Sequence, residues 1–164
     1  VSVETVAESS SQMINQGVRL SKMAKNIVVK LPMTWEGIKA CVELSKININ
    51  TNVTLCFSTS QAILAAKAGA TYVSPFIGRL DDANLDGVKL IREIKQIYSN
   101  FNYETRILAA SIRTKNHVSQ SAIAGADVAT IPPKVFDTLV NHNLTDQGLE
   151  IFNSDWKNSG QKIL

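Results

Sequence analysis

Apolar positions along the chain fall into short β-branched runs, separated by longer stretches with helical spacing. Six runs have strand character: VSVET (1–5), NIVVK (26–30), TNVTLCF (51–57), TYVSPFI (71–77), TRILAAS (105–111) and DVATIP (127–132). Between two of them, residues 88–98 (VKLIREIKQIY) set Leu90, Ile91, Ile94 and Ile97 on one face with charges opposite, which predicts an amphipathic helix. TSQAILAAKAGA and HVSQSAIAGAD predict two helices of small residues, each ending near a glycine suited to the left-handed C′ position. Thr34 (with Gly37 nearby), residues 58–60 and Thr114 follow strand runs directly and are the expected N-caps.

Strands alternating with helices across short loops form a parallel sheet covered by helices. There is also an internal echo: AKAGATYVSPF aligns with AIAGADVATIP, Gly69 on Gly125, at an offset of 56 residues. Two βα units fill that distance, and a repeat of paired units suits a closed barrel better than an open doubly wound sheet. Neither GxGxxG nor GxxxxGK[ST] occurs, which removes the commonest nucleotide sites of open sheets. The expected fold class is therefore α/β, a TIM (β/α)8 barrel. Six of its eight βα units are present over residues 1–143, followed by a helical tail over 144–164.

Side chains of a barrel strand alternate between the interior and the helix layer, and active sites form at the C-terminal strand ends. With Lys30 inward, the same alternation turns inward Ser2 and Glu4, Val28, Asn52 and Thr54, then Tyr72, Ser74 and Phe76, and finally Ile107, Ala109 and Ser111. Arg79 and Arg113 follow just past strand ends, beside the mouth. Taken singly, each has an ordinary structural reading. A strand-end lysine usually extends its ammonium to water, Glu4 reads as a solvated rim residue, and arginines beside loops sit in weak surface pairs. Five strands aiming polar groups at one opening is the less ordinary observation. Desolvation favours a neutral amine over an ammonium, and a neutral amine attacks carbonyls to form a Schiff base. Glu4 with Thr54 and a water could shuttle the protons. Two arginines and a serine at neighbouring strand ends make a phosphate clamp. The pattern points to an enzyme handling the carbonyl of a sugar phosphate.

Composition narrows this little further. Hydrophobic residues make up 45% of the 164 positions, enough for a core, and no tract is of low complexity. A net charge of +3 with scattered cations and 6% aromatics gives no nucleic-acid stripe. No apolar run approaches the roughly 18 residues of a membrane span, and the first ten residues lack the pattern of a signal peptide. Cys41 and Cys56 are read as buried, reduced thiols of a cytoplasmic protein. His117 and His142 have no ligand-spaced partners, so no metal is expected.

NIVVKLPMTWEGIKA, SQAILAAKAGATYVSPFIGRLDD, ILAASIRT, AGADVATIP and the tail LTDQGLEIFNSDW closely resemble the short transaldolases, relatives of fructose-6-phosphate aldolase. The resemblance runs through nearly the whole chain. It implies Schiff-base chemistry with no metal and no cofactor, Lys30 being the nucleophile. It further implies that Glu4 is the third-strand acid assisting proton transfer through a water that Thr54 helps to hold. Arg79, Ser111 and Arg113 fall on the phosphate-binding set, while Phe76, Ser74 and Asn52 join them as substrate-side residues. The implied reaction moves a dihydroxyacetone unit from sedoheptulose 7-phosphate or fructose 6-phosphate to erythrose 4-phosphate or glyceraldehyde 3-phosphate, in the non-oxidative pentose phosphate pathway. Glu4 and Phe76 favour transaldolase over the aldolase, where glutamine and tyrosine are typical. The departure is at the front: the chain starts at the family's third strand, without the strand-one aspartate or the strand-two Thr-x-Asn-Pro stretch. A fructose-6-phosphate aldolase, or a non-catalytic fragment, is the alternative. The resemblance also implies a homo-oligomer, with Leu144, Leu149, Phe152 and Trp156 either touching a neighbouring subunit or packing on their own barrel.

Overall fold

The computed structural model describes residues 1–163. In chain order the elements are β1 (Ser2–Glu4), α1 (Ser10–Ser21), β2 (Val28–Pro32), α2 (Trp35–Lys46), β3 (Thr51–Cys56), α3 (Thr59–Lys67) and β4 (Tyr72–Pro75). They continue with α4 (Ile77–Asp82), α5 (Gly87–Asn100), β5 (Arg106–Ala109), α6 (Lys115–Ile123), β6 (Val128–Ala129), α7 (Pro133–Phe136) and α8 (Asn143–Ser159). The six strands are parallel and pair in sequence order, β1 to β6, which gives the curled partial (β/α)8 barrel that the alternation predicts.

The local signals act as their chemistry requires. The side chains of Thr34, Ser58 and Thr114 accept the N–H groups of Gly37, Gln61 and His117 and so cap α2, α3 and α6. Gly69 and Gly125 take φ of +79° and +97°, the left-handed turn that ends a helix without a Cβ clash. The stripe on α5 is buried at Leu90, Ile91 and Ile94, and the Tyr98 hydroxyl donates to the Ala62 carbonyl at 2.7 Å. The core lies between sheet and helices, with Val29, Leu31, Val53, Val73 and Ile107 wholly enclosed beneath α1 to α5.

Two expectations need correcting. Five of the six strands are shorter than their hydrophobic patterns, while β2 is as long but shifted on to Val28–Pro32, so that Lys30 is its middle residue and not its end. β4 stops at Pro75 because Ile77 already opens α4, leaving Phe76 in a single bridge to Ala110, and β6 is two residues long. The alternation on β5 is also inverted. Ile107 is the register partner of Val73, so it shares that residue's helix-facing side. Ile107 and Ala109 are buried there, and Leu108 and Ala110 face the barrel interior.

The tail forms α8, in which no residue is buried; Leu144, Leu149, Phe152 and Trp156 are all exposed. Packing of that face on its own barrel is therefore not what the structure shows. Leu164 lies outside the described residues.

Candidate active site

The inward faces of the strands and the turns that follow them line a cavity of about 650 Å³ whose lining includes Ser2, Glu4, Lys30, Asn52, Tyr72, Ser74, Phe76 and Ser111. Register builds this cluster. Glu4 pairs with Lys30, and Lys30 pairs with Asn52, so three adjacent strands present these side chains at one height. Asn52 is fully buried and fully engaged: its Nδ2 donates to Ser2 Oγ at 3.1 Å and its Oδ1 accepts from Ser74 Oγ at 2.7 Å. That chain gives the cavity floor a fixed polar surface with no orphaned amide.

Lys30 Nζ stands 3.6 Å from Glu4 Oε2, with the lysine side chain 25% exposed and the glutamate 54%. A pair this long and this open to water is weak, so the amine is oriented toward the cavity without being locked. Neither cysteine competes as a nucleophile. Burial pushes the Cys56 thiol up to about 12 and raises that of Cys41, keeping both protonated.

Thr54 is also wholly buried, but it does not line the cavity, and its Oγ1 has no hydrogen-bond partner among the described residues. Arg79 and Arg113 stay outside the lining too. The Arg79 guanidinium lies 5.3 Å from the centre of the Phe76 ring, and Arg113 Nη2 donates to Asp82 Oδ2 at 2.8 Å. Ser111 reaches the cavity by a route that strand alternation does not supply, a backbone φ of +60° just past β5.

Sequence reasoning missed the far wall, formed by Leu108, Ala110 and residues 128–131. The repeat could have found it. The offset of 56 carries Asn52 onto Leu108 and Thr54 onto Ala110, which is the alternation the structure has. Among the described residues there is no group of three or more metal-ligating side chains, and no helix is long and apolar enough to cross a membrane.

The family description Transaldolase/Fructose-6-phosphate aldolase matches residues 1–163. The chain belongs to this family. Proteins named "Probable transaldolase" align along all or nearly all of it. Those from Parvibaculum lavamentivorans and Dinoroseobacter shibae are 60% and 58% identical over the whole chain, which covers 76% of each. The one from Rhizobium meliloti is 59% identical over 99% of the chain, covering 75% of that protein. The chain thus spans about three quarters of the length of these relatives.

Proposed function

We propose that the protein is a transaldolase that carries a dihydroxyacetone unit as a Schiff base on Lys30. The observation that carries this reading is the lysine amine at the cavity, 3.6 Å from the Glu4 carboxylate, on a strand paired at Lys30 with Asn52 of the hydrogen-bonded Ser2–Asn52–Ser74 chain. Lys30 attacks C2 of fructose 6-phosphate or sedoheptulose 7-phosphate. The C2 oxygen leaves as water, and Glu4 relays the protons of that exchange, to which the family resemblance adds a water held by Thr54.

Cleavage of the C3–C4 bond then sends its electron pair into the iminium. The C4 hydroxyl proton passes to a base, which the family resemblance puts on the first barrel strand. An aldose phosphate departs and a three-carbon enamine stays on Lys30. Adding the enamine to erythrose 4-phosphate or glyceraldehyde 3-phosphate, then hydrolysing the imine, completes the transfer. Because the nitrogen takes up the electron pair, no free carbanion needs stabilising. Ser111, Arg79 and Arg113 hold the substrate's phosphate. The exposed apolar face of α8 suits contact with a neighbouring subunit of a homo-oligomer.

The test is borohydride reduction of the chain with fructose 6-phosphate, followed by peptide mapping. The expected product is a covalent adduct on the peptide containing Lys30, absent in Lys30→Met, of three carbons where cleavage follows imine formation and of six where it does not. Absence of any adduct on folded protein would overturn the assignment.

A further inference from the structure

The loop after β5 carries a residue that the proposed chemistry does not use. His117 sits in the first turn of α6 with its side chain only 15% exposed, and both of its ring nitrogens are engaged. Nδ1 accepts the backbone N–H of Arg113 at 3.2 Å. A nitrogen that accepts cannot carry the proton of a neutral ring, so the proton lies on Nε2, 2.9 Å from Asp81 Oδ2. The other Asp81 oxygen accepts the Gly87 N–H at 3.0 Å, which fixes the carboxylate between α4 and α5. The next residue, Asp82, holds the Arg113 guanidinium. Two consecutive aspartates of α4 thus grip one loop residue, one by its side chain and one, through His117, by its backbone.

The corresponding loop after β3 isolates what is special here. At the offset of 56, Gln61 stands for His117 and Phe57 for Arg113. The Gln61 Oε1 accepts the Phe57 N–H at 2.7 Å, the same clasp. Holding the turn therefore needs only an acceptor at this position. The second bond, from Nε2 to α4, belongs to the loop that carries Ser111 and Arg113.

We propose that His117 is a positioning residue, tying the 111–113 turn to α4 through Asp81 so that Ser111, Arg113 and Arg79 converge on the substrate's phosphate. This rests on the Lys30 reading above. It adds that the phosphate site is a two-element clamp, assembled across the β4 and β5 loops, and that a histidine touching no substrate sets its affinity.

The test compares two trapping probes, fructose 6-phosphate and dihydroxyacetone, which both reach Lys30 while only the first carries a phosphate. In His117→Ala the half-saturating fructose 6-phosphate concentration should rise about tenfold, as for loss of support to a charged hydrogen-bonded contact. Its value for dihydroxyacetone and the maximal trapping with either probe should stay unchanged. His117→Gln, which keeps the clasp of the β3 loop but not the imidazole bond to Asp81, should leave most of the difference in place, and full recovery there would overturn the tie to α4. Gln61→Ala should lower the melting temperature comparably and leave the ratio of the two half-saturations as in the wild type. An unchanged ratio in His117→Ala, or equal weakening of both probes, overturns the proposal. If the wild type traps neither probe, the Lys30 reading falls and takes this one with it. If it traps both with equal half-saturation, the phosphate site alone falls.

Discussion

The units β3–α3–β4–α4 and β5–α6–β6–α7 are two copies of one backbone plan put to different uses. α3 and α6 have identical bounds once shifted by 56 residues, as do their N-caps Ser58 and Thr114 and their terminating glycines Gly69 and Gly125. Even the strained residues coincide: Leu55 and Ser111 both sit at φ of +60°, three residues before the cap. What differs is what the shared turn presents. The first copy offers Leu55 and Phe57, the latter edge-on at 5.9 Å to the Phe76 ring, and so backs a ring that lines the cavity. The second offers Ser111 and Arg113, the side chains proposed above to hold the substrate's phosphate. Backbone geometry is common property here, and the chemistry lies in side chains set on it.

The copies also differ in how tightly the next element approaches. Gly78 on α4 lies so close to the β5 loop that a Cβ there would meet the Ser111 carbonyl oxygen at 2.1 Å and Arg113 Cγ at 2.7 Å. The matching position on α7 is Lys134, an exposed residue. Gly78→Ala should therefore be the most damaging change in either copy, costing about 3 kcal/mol because the obstacle is backbone that cannot rotate away. Urea unfolding measures it, with Gly148→Ala as the unobstructed control, expected to gain up to about 1 kcal/mol from helix propensity since nothing lies within 4 Å of a Cβ there. A cost below about 1 kcal/mol would mean that the two elements separate easily and that no clamp joins them.

Next in size come the two terminating glycines. Both need positive φ, so alanine at either should cost about 1 kcal/mol from conformation alone. Their surroundings split them. A Cβ at position 69 would meet Ser45 Oγ at 2.4 Å and its Cβ at 3.1 Å, against α2. One at position 125 would press the stem of Lys95, which has room to move. Gly69→Ala should lose about 2 kcal/mol and Gly125→Ala about 1, read from the same unfolding midpoints. Equal losses would show that backbone conformation alone decides, and that the copies are packed alike.

Much of this was legible before any coordinates. Capping residues, closing glycines and the α5 stripe act within a few residues, so their signals survive in the sequence. Lys30 and Glu4 were legible as neighbours because alternation and parallel pairing bring inward residues of adjacent strands to one height. The errors concern side-chain alternation: on β5 the parity carried over from β4 turns Ile107 and Ala109 inward, where the register places them on the helix side. Thr54 lies within a register shift between β3 and β4 and is buried away from the cavity, and Ser111 is turned by its own left-handed backbone, which counting by twos does not supply. The Asp81–His117 bond crosses two loops that no local pattern connects. Only the 56-residue repeat, pairing His117 with Gln61, hints that the position has a backbone to hold.

The smallest expected effect is also the one that best separates scaffold from site. Ser111 pays for its left-handed backbone, a conformation that costs a residue with a Cβ about 1 kcal/mol. Glycine removes that cost but gives the unfolded chain more freedom, so Ser111→Gly should gain about 0.5 kcal/mol, a small rise in unfolding midpoint. If the hydroxyl faces the cavity to bind phosphate, that gain comes with weaker trapping of fructose 6-phosphate and unchanged trapping of dihydroxyacetone. Leu55 holds the same backbone angle at a position that binds nothing in the proposed chemistry. Leu55→Gly should change stability alone, relief of strain working against lost apolar contact. Should Ser111→Gly gain stability and keep its preference for the phosphorylated probe, the strain at 111 would be an inheritance of the repeated turn, as it is at 55. A gain in stability bought with lost selectivity would instead mark the serine as kept at that angle for its ligand.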